Sequence, residues 1–406
     1  MPSEKKKLPS VLLLFLSSLG IFIGLLAAAA VIWAGSGISA IPISSSESLT
    51  LLSVGTLAFL TSLLNVPTLV FALKDLRGKD VTIKQSSLFR SATIALAAWS
   101  GFLVLGTLVN RSGKDQFMLA PITILAIAIP LWWLVEFGRR GLARTSALRE
   151  WGTLTLGLTI SPLIIIIVEV LVVVLVTVFV AISISFQPDV MNQITAIMQS
   201  LEISQGGLEE LEKLMFQFMQ NPLITAAIFL VIGIIAPFIE ELFKPLAVWF
   251  LLRRPIKPQE GFVLGLISGG AFALLESAGL VSQVVTQEWA ITIGLRSATG
   301  LLHIGLSGLV GFGIASAWNE KRKGRALLYL LAAAALHGLW NSAALLGGYS
   351  TTILPSAGSS PYFTPGNVIS VAGMLMIFIA VLSITIRLNQ RLVHEQNSVI
   401  NQTENI

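Results

Sequence analysis

The feature that most constrains this chain is a series of apolar runs, each about as long as a bilayer is thick. A helix needs about 20 predominantly apolar residues to cross a hydrocarbon core of about 30 Å. Ten runs meet that rule: about 11–34, 50–73, 90–109, 117–136, 160–185, 223–252, 261–285, 291–317, 326–347 and 367–387. Inside lipid, a helix is the element that satisfies its own backbone within one segment. The expected fold is therefore all-α, a polytopic transmembrane helical bundle of about ten spans. Composition agrees, with 54% hydrophobic and 12% charged residues and a mean hydropathy of +0.84. A soluble domain carries about 25% charged residues. The chain has no cysteine, which excludes disulfides and thiolate metal sites.

The net charge of +5 does not mark a nucleic-acid partner, because the basic residues form short clusters between apolar runs. One alternate set of loops holds 21 Lys and Arg and the other holds 4, with Lys244 inside a span. The positive-inside rule then places both termini in the cytoplasm, which an even number of spans permits. The run 11–34 follows Lys5, Lys6 and Lys7, but exceeds the roughly 7–15-residue core of a signal peptide and reads as a first span. Trp132, Trp133, Trp151, Trp249 and Trp318 fall near span ends, as an aromatic belt would place them.

In the five spans of residues 1–186 the one acid away from a span end is Glu169, and there is no histidine, so their role is not legible. Residues 187–222 form an extracytoplasmic loop. There Val190, Met191, Ile194, Ile197, Met198 and Leu201, then Leu208, Leu211, Leu214, Met215 and Phe218, recur at helical spacing like two amphipathic helices on the membrane surface. Residues 223–347 are four spans that hold nearly all the intramembrane polar chemistry. A loop and final span follow over 348–387, then a polar, disordered cytoplasmic tail over 388–406.

The sixth run, "GIIAPFIEELFKPLAVWFLLRR", carries Glu240, Glu241 and Lys244 in its middle. Three charges at that depth cost on the order of 8–10 kcal/mol before any pairing. Lys244 lies four residues after Glu240 and can partly neutralise it. Glu241 points about 100° away and needs another partner or a proton. Pro237 removes a donor, frees the Gly233 carbonyl and kinks the helix just ahead of the carboxylates.

Three later spans add polar groups at comparable depth. "FALLE" places Glu276 with Phe272 one turn earlier, "LLHIGLS" places His303 with Ser307 one turn later, and "LHGLWN" places His337 with Asn341 one turn later. At about 1.5 Å per residue, each lies roughly 15–23 Å into its span. Gly261, Gly265 and Gly269 form a small-xxx-small strip expected to serve helix packing. Amide hydrolysis needs a base for water, donors for an oxyanion and a proton for the leaving amine. A buried carboxylate with a histidine supplies the first, His337 and Asn341 the second, and the carboxylic acid formed on proton abstraction the third. No Asp lies in any run and no HExxH motif is present, so neither a Ser–His–Asp triad nor a classical zinc motif fits. Intramembrane Glu and His also build proton relays, so a proton-coupled transporter is the alternative reading.

At these residues the sequence resembles the PrsW family of intramembrane proteases, which is related to the CAAX prenyl proteases and the CPBP group. The matching pieces, in order on four consecutive spans, are "EELFK" for EExxK, "FALLE" for FxxxE, "RSATGLLHIGLS" for an Arg followed by HxxxS, and "HGLWN" for HxxxN. They cover about residues 223–345. The resemblance implies a catalytic set of Glu240, Glu241, His303, His337 and Asn341. Glu240 would be the base, oriented with His303, and His337 with Asn341 the oxyanion site. Lys244, Phe272, Glu276, Arg296 and Ser307 would be supporting motif residues. The CAAX prenyl proteases usually show His where this chain has Glu276, which favours the PrsW branch. The implied partner is a membrane-anchored protein substrate, such as an anti-sigma-factor-like regulator, in a bacterial plasma membrane. Metal-free glutamate catalysis without a cofactor is the preferred expectation. In a zinc-dependent version, Glu240, His303 and His337 would be the ligands.

Overall fold

The computed structural model describes residues 4–36, 44–82, 88–112, 116–188, 190–192, 195, 220–251, 256–281, 289–319, 323–352 and 364–404. Most of the expected amphipathic pair in the 187–222 loop lies outside the described residues. The described residues are helical apart from turns and one isolated bridge between Thr82 and Ser146.

In chain order the helices are α1 (Glu4–Gly35), α2 (Ser45–Leu76), α3 (Phe89–Ser112), α4 (Gln116–Gly138), α5 (Ala147–Leu158), α6 (Ile160–Ser185), α7 (Pro222–Leu230), α8 (Ala236–Phe243), α9 (Leu246–Phe250), α10 (Pro258–Val281), α11 (Trp289–Asn319), α12 (Gly324–Thr352) and α13 (Pro365–Glu404). A π-helical turn, Val231–Ile235, joins α7 to α8. Ten described segments are long and apolar enough to cross a membrane, as expected. The fold is an all-α helical bundle.

Three expectations change in detail. The fifth span starts earlier than residue 160, because α5 leads into α6 through a break at Thr159, where φ is −125° and ψ is −74°. The sixth run is not one helix. It is α7, a π turn, α8, a stop at Lys244–Pro245, and the short α9. The tail after Arg387 is helical through Glu404, because α13 finds partners beyond its apolar part. Asn389 donates its amide to the carbonyls of Gly138 (2.8 Å) and Arg140 (3.0 Å). Gln396 accepts from the Ala143 N–H at 2.8 Å, and Leu392 is wholly buried. A polar composition suggested disorder, but docking supplies the ordering energy that composition does not reveal.

Two compact units divide the chain. The first holds Met1–Leu163, Glu241–Ala333 and Ala380–Ile406, and the second Ile164–Glu240 and Ala334–Ile379. In the first unit α10 and α11 approach along the glycine strip. A methyl group at Gly261, Gly265 or Gly269 would land on the backbone of Gly311, Ser307 or His303. That closeness buries α11 almost continuously from Thr299 to Ala317. Near the end of α4, Arg139 pairs with Glu136 and, at 2.9 Å, with Glu150, which Arg144 also meets at 2.5 Å. Burial opposes the Arg139 charge, but the two carboxylates outweigh it and raise its pKa above the ordinary value. In the second unit α12 and α13 meet through Ser370, whose hydroxyl donates to the Ala343 carbonyl at 2.6 Å.

The glycine seam yields a direct test. Gly265→Ala is expected to cost about 3 kcal/mol, since its methyl meets backbone that cannot step aside. Gly279→Ala, whose methyl meets nothing within 4 Å, is expected to be neutral or stabilising. Thermal melting of the purified protein by circular dichroism compares the two.

Candidate active site

The backbone ahead of the two glutamates is irregular because Pro237 has no N–H to give. The Ala236 N–H bonds the Val231 carbonyl in the wide π register. That choice leaves the Ile232 carbonyl without its usual donor, and Pro237 leaves the Gly233 carbonyl without one. Helix α12 lies against both carbonyls within the second unit. The Asn341 amide donates to the Ile232 carbonyl at 3.1 Å. The Gly233 carbonyl faces Gly338 so closely that a methyl group there would overlap it. The same register sets Glu240 and His337, both buried, with Oε2 and Nε2 3.9 Å apart. "HGLWN" therefore does two jobs. His337 faces the carboxylate, while Gly338 and Asn341 receive the broken helix that carries it.

Glu241 and the remaining motif residues lie together in the first unit. Lys244, fully buried, donates to Glu241 Oε1 at 2.9 Å and to His303 Nδ1 at 2.8 Å. Its ammonium also lies 4.3 Å from the centroid of the Phe272 ring, a cation–π contact. His303 packs edge-on against the same ring at 5.3 Å. On its other side, His303 Nε2 lies 2.6 Å from Glu276 Oε2, which Arg296 meets at 2.9 Å. Arg296 Nε donates further to Ser277 at 3.3 Å. The result is an alternating chain, Glu241–Lys244–His303–Glu276–Arg296, in which every charge touches one of opposite sign or an imidazole.

The chain of contacts assigns a tautomer to His303. An ammonium has donors and no acceptor, so Nδ1 must offer its lone pair to Lys244. The ring proton then sits on Nε2, 2.6 Å from the Glu276 carboxylate. Ser307, one turn beyond His303 and fully buried, has a hydroxyl with no hydrogen-bond partner among the described residues.

Two sequence expectations are revised. Lys244 pairs with Glu241, three residues earlier, so Glu241 has the partner that its position called for. The chain stops being helical at Phe243, so Lys244 does not hold the i+4 position of a continued helix. Trp249 is more than a belt residue, because its indole N–H donates to the Leu242 carbonyl at 2.9 Å. Motif reading also missed Ser161 and Ser268, which donate to the carbonyls of Phe243 (2.7 Å) and Lys244. The one sequence signal for them is Pro245, which denies the preceding turn a donor.

A family model described as PrsW family intramembrane metalloprotease matches residues 151–382. The chain belongs to this family. It is thus an intramembrane peptidase and a multi-pass integral membrane protein. The match begins in α5, so it takes in the fifth and last spans as well as the stretch the motifs cover. No curated protein and no solved structure matches the chain.

The family description implies a metal, and the donor types, carboxylate and imidazole, are ones zinc accepts. The geometry inside each unit is less suited. In the second unit the pair Glu240 and His337 supplies two donors, where a catalytic zinc takes three from the protein. In the first unit His303 is the one imidazole of the cluster, with Nδ1 engaged by Lys244 and Nε2 2.6 Å from Glu276 Oε2.

Removing one partner from a buried ion pair costs about 3–5 kcal/mol, whereas removing both is far milder. Lys244→Met is therefore expected to lower stability by about that amount, and Glu241→Gln/Lys244→Met by clearly less. Thermal melts of Lys244→Met and the double variant against wild type check the sign. Gly338→Val is expected to abolish activity by driving α12 off the π turn, with cleavage by the purified variant as the readout.

Proposed function

We propose that the protein hydrolyses a peptide bond of a membrane-anchored protein, such as an anti-sigma-factor-like regulator in a bacterial plasma membrane, with water activated by Glu240. The observation that carries the reading is the buried pair Glu240 and His337, 3.9 Å apart beside a broken membrane helix. A carboxylate and an imidazole at that separation can hold a water between them and share its protons. Irregular backbone at membrane depth is tolerated where protein or a water cavity surrounds it, and hydrolysis within a span requires such a cavity.

In this scheme Glu240 takes a proton from water as the oxygen attacks the substrate carbonyl carbon. The negative charge that develops on the carbonyl oxygen is met by His337 and by the Asn341 amide. That amide carries a second hydrogen beyond the one given to Ile232. Glu240, now a carboxylic acid, returns its proton to the leaving amine as the C–N bond breaks. Glu241, Lys244, His303, Glu276 and Arg296 hold the chain directly after Glu240. His303 enters through its contact with Lys244, and no step needs it to bind water or metal.

Replacing a general base typically costs about 10²–10⁴-fold in rate. Glu240→Gln is expected to lose cleavage of co-expressed single-span reporter proteins by that factor while still folding. Cleavage at the wild-type rate would falsify the assignment. Activity of the purified protein is expected to survive strong chelators. A loss reversed by added zinc would replace metal-free catalysis with a metal-dependent version of the same hydrolysis.

A further inference from the structure

The turn after the two glutamates is held from outside the helix that carries them. Helix α8 stops at Phe243, and Pro245 cannot donate to the last turn. Three successive carbonyls there are met by side chains from three other elements. Trp249 of α9 donates to Leu242 at 2.9 Å, Ser161 at the start of α6 donates to Phe243 at 2.7 Å, and Ser268 of α10 donates to Lys244. Both serines are 1% exposed. Most hydroxyls in the spans behave otherwise. Ser17, Thr56, Ser62, Thr123 and Thr159 each bond a carbonyl three or four residues back in the same helix. Ser161 and Ser268 reach across to another element.

An unsatisfied carbonyl in hydrocarbon costs several kcal/mol, so an uncapped stop would rearrange until it found donors. The nearest available rearrangement is rotation of the Lys244 residue itself. Its carbonyl is the one Ser268 holds, and its ammonium is the one that meets Glu241 and His303.

We infer that Ser161, Ser268 and Trp249 are positioning residues for hydrolysis. By capping the carbonyls of Phe243, Lys244 and Leu242, they lock the helix stop that aims Lys244 at Glu241 and His303. The inference rests on the proposed function only in taking α8 as the helix that carries the catalytic glutamates.

The test reads the His303 tautomer, which needs no substrate. Protein carrying ¹⁵N-histidine is placed in lipid nanodiscs, and the His303 ring signals are assigned by their absence in His303→Gln. Wild type is expected to show Nε2 protonated and Nδ1 as an acceptor. In Ser161→Ala/Ser268→Ala the two signals are expected to move toward an average of both tautomers, and Ser161→Thr, which keeps the hydroxyl, to retain the wild-type pattern. Trp249→Phe removes one donor but keeps most of the ring bulk, and gives the same readout if the double variant fails to fold. Turnover of a purified single-span reporter protein in the same nanodiscs is expected to fall in kcat by up to about 100-fold with KM unchanged, as for a catalytic group moved by about 1 Å. A double variant, or Trp249→Phe, that melts earlier yet keeps the wild-type tautomer pattern would make these residues structural only and overturn the inference. Wild-type cleavage by Glu240→Gln, with the tautomer shift still seen in the capping variants, would instead remove Glu240 as the base and leave the positioning of Lys244 standing.

Discussion

A single ammonium group sets the terms for the catalytic region. Lys244 has no exposure at all, and an ion moved out of water costs several kcal/mol even after relaxation. Its charge is held by Glu241, by the lone pair of His303 and by the face of Phe272. Each of these partners is then constrained in turn. Glu241 gives up any free role as a second base. His303 offers Nδ1 to Lys244, which leaves Nε2 facing Glu276. Glu276 becomes a carboxylate that needs Arg296. One buried cation thus accounts for five motif residues on three helices.

The second organising constraint is the backbone. Glu240 and Glu241 sit on a helix only eight residues long, with a π turn before it and a proline stop after it. In a membrane both irregularities expose carbonyls that no solvent can satisfy. Upstream, Asn341 donates to the Ile232 carbonyl and Gly338 leaves room for that of Gly233; downstream, Trp249, Ser161 and Ser268 donate to the carbonyls of the stop. The arrangement places two carboxylates on a segment short enough to be aimed from both ends. A long regular helix offers no such control, because its own hydrogen bonds dictate where each side chain points.

Much of this was legible in the chain itself. Ten apolar runs led to ten membrane-length helices because length and hydropathy act locally and the bilayer tolerates few alternatives. The glycine strip was legible for a similar reason, since a missing Cβ can only help a close approach. The partner of Lys244 was not. Choosing between Glu240 and Glu241 by spacing assumed a helix that continues through Lys244, and the stop at Pro245 removes that assumption. The tail misled through its composition, since polar residues such as Asn389 and Gln396 order when they find backbone partners some 250 residues away in sequence.

The sequence by itself determined the membrane class, the number of spans, the family motifs and the presence of charge in the sixth span, because each follows from residue type and local spacing. Only the tertiary structure decided how that charge is neutralised, which tautomer His303 adopts, and which side chains close the broken backbone around the two glutamates. Those outcomes depend on hydrogen bonds between residues such as Ser161 and Phe243, or Lys244 and His303. Their strength is set by burial and direction in space, and neither quantity is written in local order along the chain.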